Sequence, residues 1–317
     1  MRFSYLLTFV ALLVLSLISA AIGAATLDLG TLGSDPEALR LMLASRLPRT
    51  FAALLTGASM AVAGVIMQLL VRNRFVEPGT TGTTEAAMLG LLAVTLAAPA
   101  MPLILKMSVS ALAALVGMGG FLILIRKLPP SQPLLVPLIG LIYSGIIGAG
   151  TTFIAYQWDM MQYLGVWMSG EFSGVLAGRY ELLWLAGLMT VIAYIAADQF
   201  TIAGLGRNAS ISLGLKYRQV MALGLVTVSM VTALVVVTVG MVPFVGLVVP
   251  NIVARMMGDN LRASLPVVAG MGAGMVLACD VLGRLVRFPY EIPAGTIFGV
   301  FGAVVFLWLL LARPARA

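Results

Sequence analysis

Long apolar runs alternate with short polar breaks along the whole chain. Residues 3–25, 50–71, 86–105, 107–125, 133–156, 182–197, 263–279 and 292–312 carry no charged side chain, and neither does the longer run 219–254. A helix needs roughly 20 such residues to cross the hydrocarbon core of a bilayer. Within that core only helices and closed barrels satisfy their own backbone. Period-2 alternation is absent, which excludes a barrel. The run 219–254 is too long for one crossing, and Gly240 and Pro243 divide it into a full helix and a short one beginning near Pro250. The pattern predicts an all-α, polytopic membrane protein of about ten transmembrane helices.

Little of the 317-residue chain remains for anything else. The longest polar intervals are 26–49, 157–181 and 198–218, so one transmembrane domain over 1–317 is expected. Arg2, the apolar run after it and the small residues Ala20, Ala21, Gly23 and Ala24 imitate a signal peptide. The length of the run favours an uncleaved first span.

The breaks carry more information than the runs. The second span opens with Arg46-Leu47-Pro48-Arg49, where Pro48 suits a first helical turn. Gly57, Ala58, Ser59, Ala61, Ala63 and Gly64 then permit close helix packing. This span ends in the polar stretch from Arg72 to Gly79. Broken backbone at membrane depth is tolerated where it lines a cavity, so this stretch and the Gly240–Pro250 break are expected beside a pathway. The segment 198–218 is the most polar loop, and two readings fit it. It is an ordinary positive-inside loop, or it presents a short helix over 208–215 to a soluble partner.

The net charge is +7. In a membrane protein its placement matters more than its sum. With the N-terminus inside, Arg2, Arg72, Arg74, Arg126, Lys127, Arg207, Lys216, Arg218, Arg255, Arg262, Arg313 and Arg316 fall on the cytoplasmic side, twelve of the 19 basic residues. Arg40, Arg46, Arg49, Lys106, Arg179, Arg284 and Arg287 fall outside, with most acidic residues, among them Asp28, Asp35 and Glu291. Both termini are therefore expected in the cytoplasm. This charge is no nucleic-acid footprint.

Several chemistries drop out. The chain has no histidine, which removes the commonest zinc and haem ligand and the usual proton shuttle. Cys279 is the single cysteine and reads as a small buried residue. No Gly-x-x-x-x-Gly-Lys-Ser/Thr loop occurs, so the chain has no Walker-type route to ATP hydrolysis. Nothing points to a cofactor or to an enzyme: no paired aspartates for magnesium and no cysteine–base set are present. A carrier driven by ions is expected to bury several carboxylates. Only Glu85 and Asp280 approach membrane depth. Glu85 reads as an acid in a helix first turn, and Asp280 as a partner of Arg284 one turn on. Tyr156, Trp158, Tyr163, Trp167 and Phe172 read as an aromatic interface belt, with an aromatic funnel for a ligand as the alternative.

Taken in order, the motifs resemble the FecCD/BtuC-type permeases of ATP-binding-cassette importers for ferric siderophores and cobalamin. The matching pieces are Arg46-Leu47-Pro48-Arg49, Gly57-Ala58 through Gly64 to Gln68, Asn73 through Glu77-Pro78, Phe244 through Pro250-Asn251, Asp280 through Gly283-Arg284, and Glu291-Ile292-Pro293-Ala294-Gly295. Asn73-Arg74-Phe75 departs from the family's usual Asn-Pro-Leu, and Asn251 stands where histidine is common. The form Arg-Asn-Arg-Phe-Val-Glu-Pro is similar to the branch associated with catecholate-containing siderophores such as petrobactin, enterobactin or anguibactin.

The resemblance implies the fold of a type II importer permease, a non-catalytic subunit that dimerises around a translocation path. It implies cytoplasmic ATPase subunits, a substrate-binding protein outside, and a second permease, with a paralogue slightly favoured over an identical chain. Arg46, Arg49 and Arg284 match the arginines that dock an acidic binding protein, and Arg49→Glu is expected to weaken docking at a normal protein level. Gly206, Asn208, Ala209, Leu213 and Gly214, in a loop of about 199–218, match the ATPase-coupling segment. Asn73, Phe75, Glu77, Pro78, Pro250 and Asn251 are expected at the pathway or its gate. The cargo implied is a ferric siderophore crossing the cytoplasmic membrane.

Overall fold

The computed structural model describes residues 2–23, 36–125, 135–258 and 260–311, with side chains from residue 8 onward. Arg126, Lys127, Arg313, Arg316, Asp28, Asp35 and the side chain of Arg2, all used in the orientation argument, lie outside the described residues. The described regular structure is helical throughout. In chain order the helices are α1 (Arg2–Ala21), α2 (Pro36–Leu41), α3 (Leu47–Val71), α4 (Thr83–Ala97), α5 (Leu103–Ile125), α6 (Leu135–Gln157), α7 (Met161–Ser169) and α8 (Leu183–Ile195). They continue with α9 (Ala197–Gly204), α10 (Arg207–Ser212), α11 (Tyr217–Val239), α12 (Val245–Met257), α13 (Leu261–Val286) and α14 (Ala294–Leu311).

Six of these segments are long and apolar enough to cross a membrane: Pro36–Val71, which includes α3, and α5, α6, α11, α13 and α14. A seventh forms if α8 and α9, bent by 66° at Ala196, count as one span. Three shorter apolar helices, Thr8–Ala21, α4 and α12, complete the set of ten runs read from the sequence.

Helix α3 is the hub, packed on α13, α12, α11 and α8. Two glycines set how close its neighbours come. A Cβ at Gly57 would stand 2.2 Å from the Gly272 carbonyl of α13, and one at Gly64 would stand 2.0 Å from the Gly246 carbonyl of α12. Such backbone contact is the membrane substitute for hydrophobic collapse, since lipid is as apolar as the helices. At the periphery α5, α6 and α14 turn large apolar side chains outward: Val116, Ile146 and Leu311 are exposed. In a bilayer these are surfaces for lipid or for another membrane subunit.

Helix α12 corrects the expectation for its start. It begins at Val245, not near Pro250, which lies inside it. Phe244, in the left-handed region (φ 65°), turns the chain into the helix. At 1.5 Å per residue α4, with 15 residues, is about 22 Å long, and α12, with 13, is about 20 Å. Both fall short of a roughly 30 Å hydrocarbon core. Neither spans it alone, and their N-termini stand beside the two predicted breaks.

The aromatic residues divide. Tyr156, Trp158 and Tyr163 are exposed, as a belt requires. Phe172 departs from that reading: it is fully buried and belongs to the core.

Candidate functional site

The break after α3 is held to α12 by three side-chain contacts. Arg72 ends α3 in the left-handed conformation (φ 57°), and its N–H reaches back to the Gln68 and Leu69 carbonyls. The Asn73 carboxamide oxygen accepts the Phe75 N–H (2.8 Å), closing a local turn. Asn251 Nδ2 donates to the Arg74 carbonyl (2.9 Å) and to Leu247 of its own helix (2.7 Å). Glu77, buried, accepts the Phe244 N–H at Oε1 (2.8 Å) and lies against the Gly246 and Leu247 amides. A carboxylate there meets the unsatisfied amides and the positive end of the α12 dipole.

The third contact answers Pro250. Proline has no N–H, so the Gly246 carbonyl four residues earlier loses its helical donor. Gln68 Nε2 supplies it from α3 at 3.2 Å. Pro78 opens the short 3-10 turn Pro78–Thr80 that leads to α4, with the Glu77 N–H donating to Thr80 Oγ1 (3.0 Å). Phe75 meets Phe306 of α14 edge-on, 6.2 Å between ring centres. The structure thus brings Asn73, Phe75, Glu77, Pro78, Pro250 and Asn251 into one assembly. Gln68 and Phe244 belong to it too, although sequence reasoning gave them no role.

A cavity of about 420 Å³ opens beside this assembly, between α3, α9, α12 and α13. Gln68, Arg72, Asn73, Pro250 and Asn251 form one wall, and Gly204 and Leu205, at the approach to α10, form another. Among the predicted coupling residues, Gly206 lies against Arg72 at the break. Helix α10 (Arg207–Ser212) overlaps the expected 208–215, starting one residue earlier and ending three earlier, with Asn208 and Ala209 on it and Leu213 and Gly214 just after it. Its N-cap, Gly206, has φ +100°, and a Cβ there would lie 3.1 Å from Arg72 Nη1. The Ser210 hydroxyl, buried, bonds the Ile202 carbonyl (2.8 Å) and the Gly206 carbonyl (2.7 Å), tying α10 to α9.

The three arginines of the expected docking rim lie together at the opposite end of α3, and they are enclosed. Arg46 and Arg284 are buried, and Arg49 is 14% exposed. Arg46 donates to the Ala20 and Ala21 carbonyls (3.1 and 2.8 Å). Arg284 donates to Ser19 O (2.9 Å), Ile22 O (2.6 Å) and Ser19 Oγ (2.8 Å). These carbonyls are the unpaired end of α1, where positive charge is favoured. Asp280 bridges the other two arginines: Oδ1 meets Arg49 Nη2 at 2.7 Å and Oδ2 meets Arg284 Nη2 at 2.8 Å. Glu291 holds the outward side of Arg49 at 2.9 Å. The expected Asp280–Arg284 pair is present.

Comparison with known proteins places this geometry. The chain is 45% identical over 321 aligned residues, 100% of both chains, to the petrobactin import system permease protein YclN of Bacillus subtilis. It is 42% identical over 276 residues to the ferric-anguibactin transport system permease protein FatD of Vibrio anguillarum, covering 87% of this chain and 88% of that one. The FecCD transport family model matches residues 8–312. The chain belongs to that family.

FecCD membership agrees with the shape of the molecule. A solved structure described as an inward-facing metal-chelate type ABC transporter superposes with a TM-score of 0.83 at 23% identity, covering 98% of this chain and 99% of that one. The FecCD chain thus has the fold of an ABC-transporter permease.

Proposed function

We propose that this chain is the membrane-spanning permease subunit of an ABC importer, carrying a ferric siderophore inward across the cytoplasmic membrane while ATP is hydrolysed by partner subunits. The end-to-end 45% identity to a petrobactin import permease carries this reading. The whole chain, 1–317, acts as one transmembrane domain with both termini in the cytoplasm. Helix α10 and the flanking segment of about 199–218 face the ATPase subunits, and the Arg49 end faces outside. A second permease, slightly favoured to be a paralogue, completes the path.

The docking role divides among the arginines according to their burial. Arg49 and Glu291, partly exposed, are the portion an acidic binding protein reaches, while Arg46 and Arg284 hold the end of α1 in place. Charge complementarity of this kind fixes register and speeds encounter more than it adds affinity. In the coupling direction, movement of α10 presses on Arg72, and Arg72 is continuous with the Asn73–Glu77 stretch that carries α12. Rigid-body displacement of α12 against α3 would then open or close the path.

The test is reconstitution. Vesicles holding this chain, a second permease, ATPase subunits and a binding protein should accumulate radiolabelled ferric siderophore when ATP is supplied on the α10 side. Accumulation without any ATPase subunit would contradict the proposal and make the chain a carrier in its own right.

A further inference from the structure

The mechanism above leaves one half-buried acid unused. Glu85 stands in the first turn of α4, on a cavity of about 210 Å³ between α4, α6 and α7. Twelve residues separate it from Ala97 at the other end of α4, about 18 Å along the axis of an apolar helix. Its Oε2 is shielded from solvent and has no hydrogen-bond partner among the described residues. A carboxylate in that state is costly at membrane depth unless something pairs with it, and such residues mark the route of a ligand.

No cation of the protein does so among the described residues. The helices packed against α4 are α5, α6, α7 and α11. Of these, α6 and α7 carry no charged side chain at all. Lys106 of α5 sits at the far end of α4 and donates to the Pro99 carbonyl (2.8 Å). Arg218 of α11 lies in the first turn of that helix, near α10. The charged group that does face Glu85 is Glu77, a second carboxylate, already engaged with Phe244.

The walls specify the ligand. The hydroxyls of Ser144, Thr151 and Thr152 line the cavity, and each donates its proton to its own helix, to Leu141, Ile147 and Gly148 at 3.2, 2.9 and 2.9 Å. They therefore present lone pairs and no donors. The rest of the wall is apolar, including Met88, Leu164 and Met168. Gly145 and Gly148 keep the space open: a Cβ at Gly145 would meet nothing within 4 Å, and one at Gly148 would lie 3.7 Å from Glu85 Cγ. A wall with acceptors and no donors rejects phosphate or carboxylate. A hard metal ion demands about six oxygens at close range, whereas this space offers one carboxylate and three hydroxyls, the rest of its wall being thioethers and methyls.

We propose that this cavity binds a protonated alkyl amine, with Glu85 as its counter-ion and the hydroxyls of α6 accepting its remaining N–H groups. Resting on the importer reading, the amine would be an arm of the transported chelate, and the substrate class is narrowed to siderophores that carry one. The cavity is open along α6 and α7, where Thr152 and Met168 are exposed, so a ligand can enter from that side.

The test uses the purified full chain in lipid nanodiscs and titration calorimetry with n-pentylammonium, with 1-pentanol and sodium chloride at equal ionic strength as controls. Saturable binding is expected for the ammonium alone. It should weaken about tenfold or more in Glu85→Gln, the scale of one charge-assisted hydrogen bond. Gly145→Leu fills the cavity without touching the carboxylate and should weaken binding equally, which covers the case in which Glu85→Gln does not fold. Absence of ammonium binding, equal binding of sodium, or binding retained in the folded variants would overturn the site. A vesicle uptake assay of amine-bearing and amine-free ferric chelates separates the two readings. Equal uptake of both chelates by the unsubstituted protein strikes at the amine site, and absence of ATP-dependent uptake for every chelate strikes at the importer reading.

Discussion

Gln68 Nε2 donates to the Gly246 carbonyl across 3.2 Å, at the one acceptor in α12 that Pro250 leaves without a helical N–H. The contact joins α3 to α12 next to the close backbone approach of Gly64 to Gly246. It can be removed from either side. Gln68→Leu strands a buried carbonyl and should cost about 1–3 kcal/mol of stability. Pro250→Ala returns the N–H to Gly246 from within the helix. The double variant Gln68→Leu/Pro250→Ala should therefore recover most of what Gln68→Leu loses. Thermal unfolding of the four proteins in one detergent checks this, and strictly additive losses would contradict the pairing.

The acid at the centre of the arginine cluster should matter more than any one arginine. Asp280 serves Arg49 and Arg284 together, so Asp280→Asn leaves two enclosed guanidiniums short of a counter-charge. Breaking a buried pair from one side typically costs about 3–5 kcal/mol. Arg49→Gln leaves Asp280 still paired with Arg284 and should cost less. For Arg49→Glu this geometry adds a cost in stability to the expected loss of docking. That substitution sets a third carboxylate against Asp280 and Glu291, so the folded protein itself should be depleted. Expression level and unfolding temperature of the three variants rank these effects.

How much of this the sequence declares depends on the range of the interaction. Runs without charge located ten apolar helices, because bilayer thickness imposes a length on each one locally. Proline and glycine marked both interruptions for the same reason. The start of α12 was misplaced because Pro250 was treated as a boundary, whereas the true start is set by Glu77, 167 residues away along the chain. The resemblance assigns Arg46 and Arg49 to docking and says nothing of what surrounds them. Their environment comes from α1 carbonyls and from Asp280 and Glu291, the last two 231 and 242 residues distant from Arg49. Pattern reading sees neighbours within a helix turn, and a buried ion cluster is made of partners outside that range.

Glycine positions give a sharp contrast between close packing and open surface. Gly64→Val would drive side-chain atoms into the Gly246 carbonyl, where even a Cβ stands at 2.0 Å. It should prevent α3 and α12 from docking, leaving the protein aggregated on size-exclusion chromatography. At Gly119 a Cβ meets nothing within 4 Å, and Gly119→Ala should elute and melt as the parent does. Equal behaviour of the two variants would mean that the approach of α3 to α12 is not what holds the core.

Gly206 offers the test of coupling, because its backbone and its neighbour both resist a side chain. With φ +100° any L-residue is strained there, and a Cβ would press on Arg72 Nη1 at 3.1 Å. Gly206→Ala should therefore displace α10 relative to the end of α3 while leaving the buried helices alone. Where α10 passes ATPase movement to the Asn73–Glu77 stretch, the variant keeps its binding-protein affinity and loses several-fold in transport per ATP hydrolysed. Adding Arg72→Ala relieves the contact but not the strained φ, so it should restore part of the loss. Measuring uptake and hydrolysis together in the same vesicles decides the matter: a variant that transports normally per ATP would show that motion reaches α12 by another route.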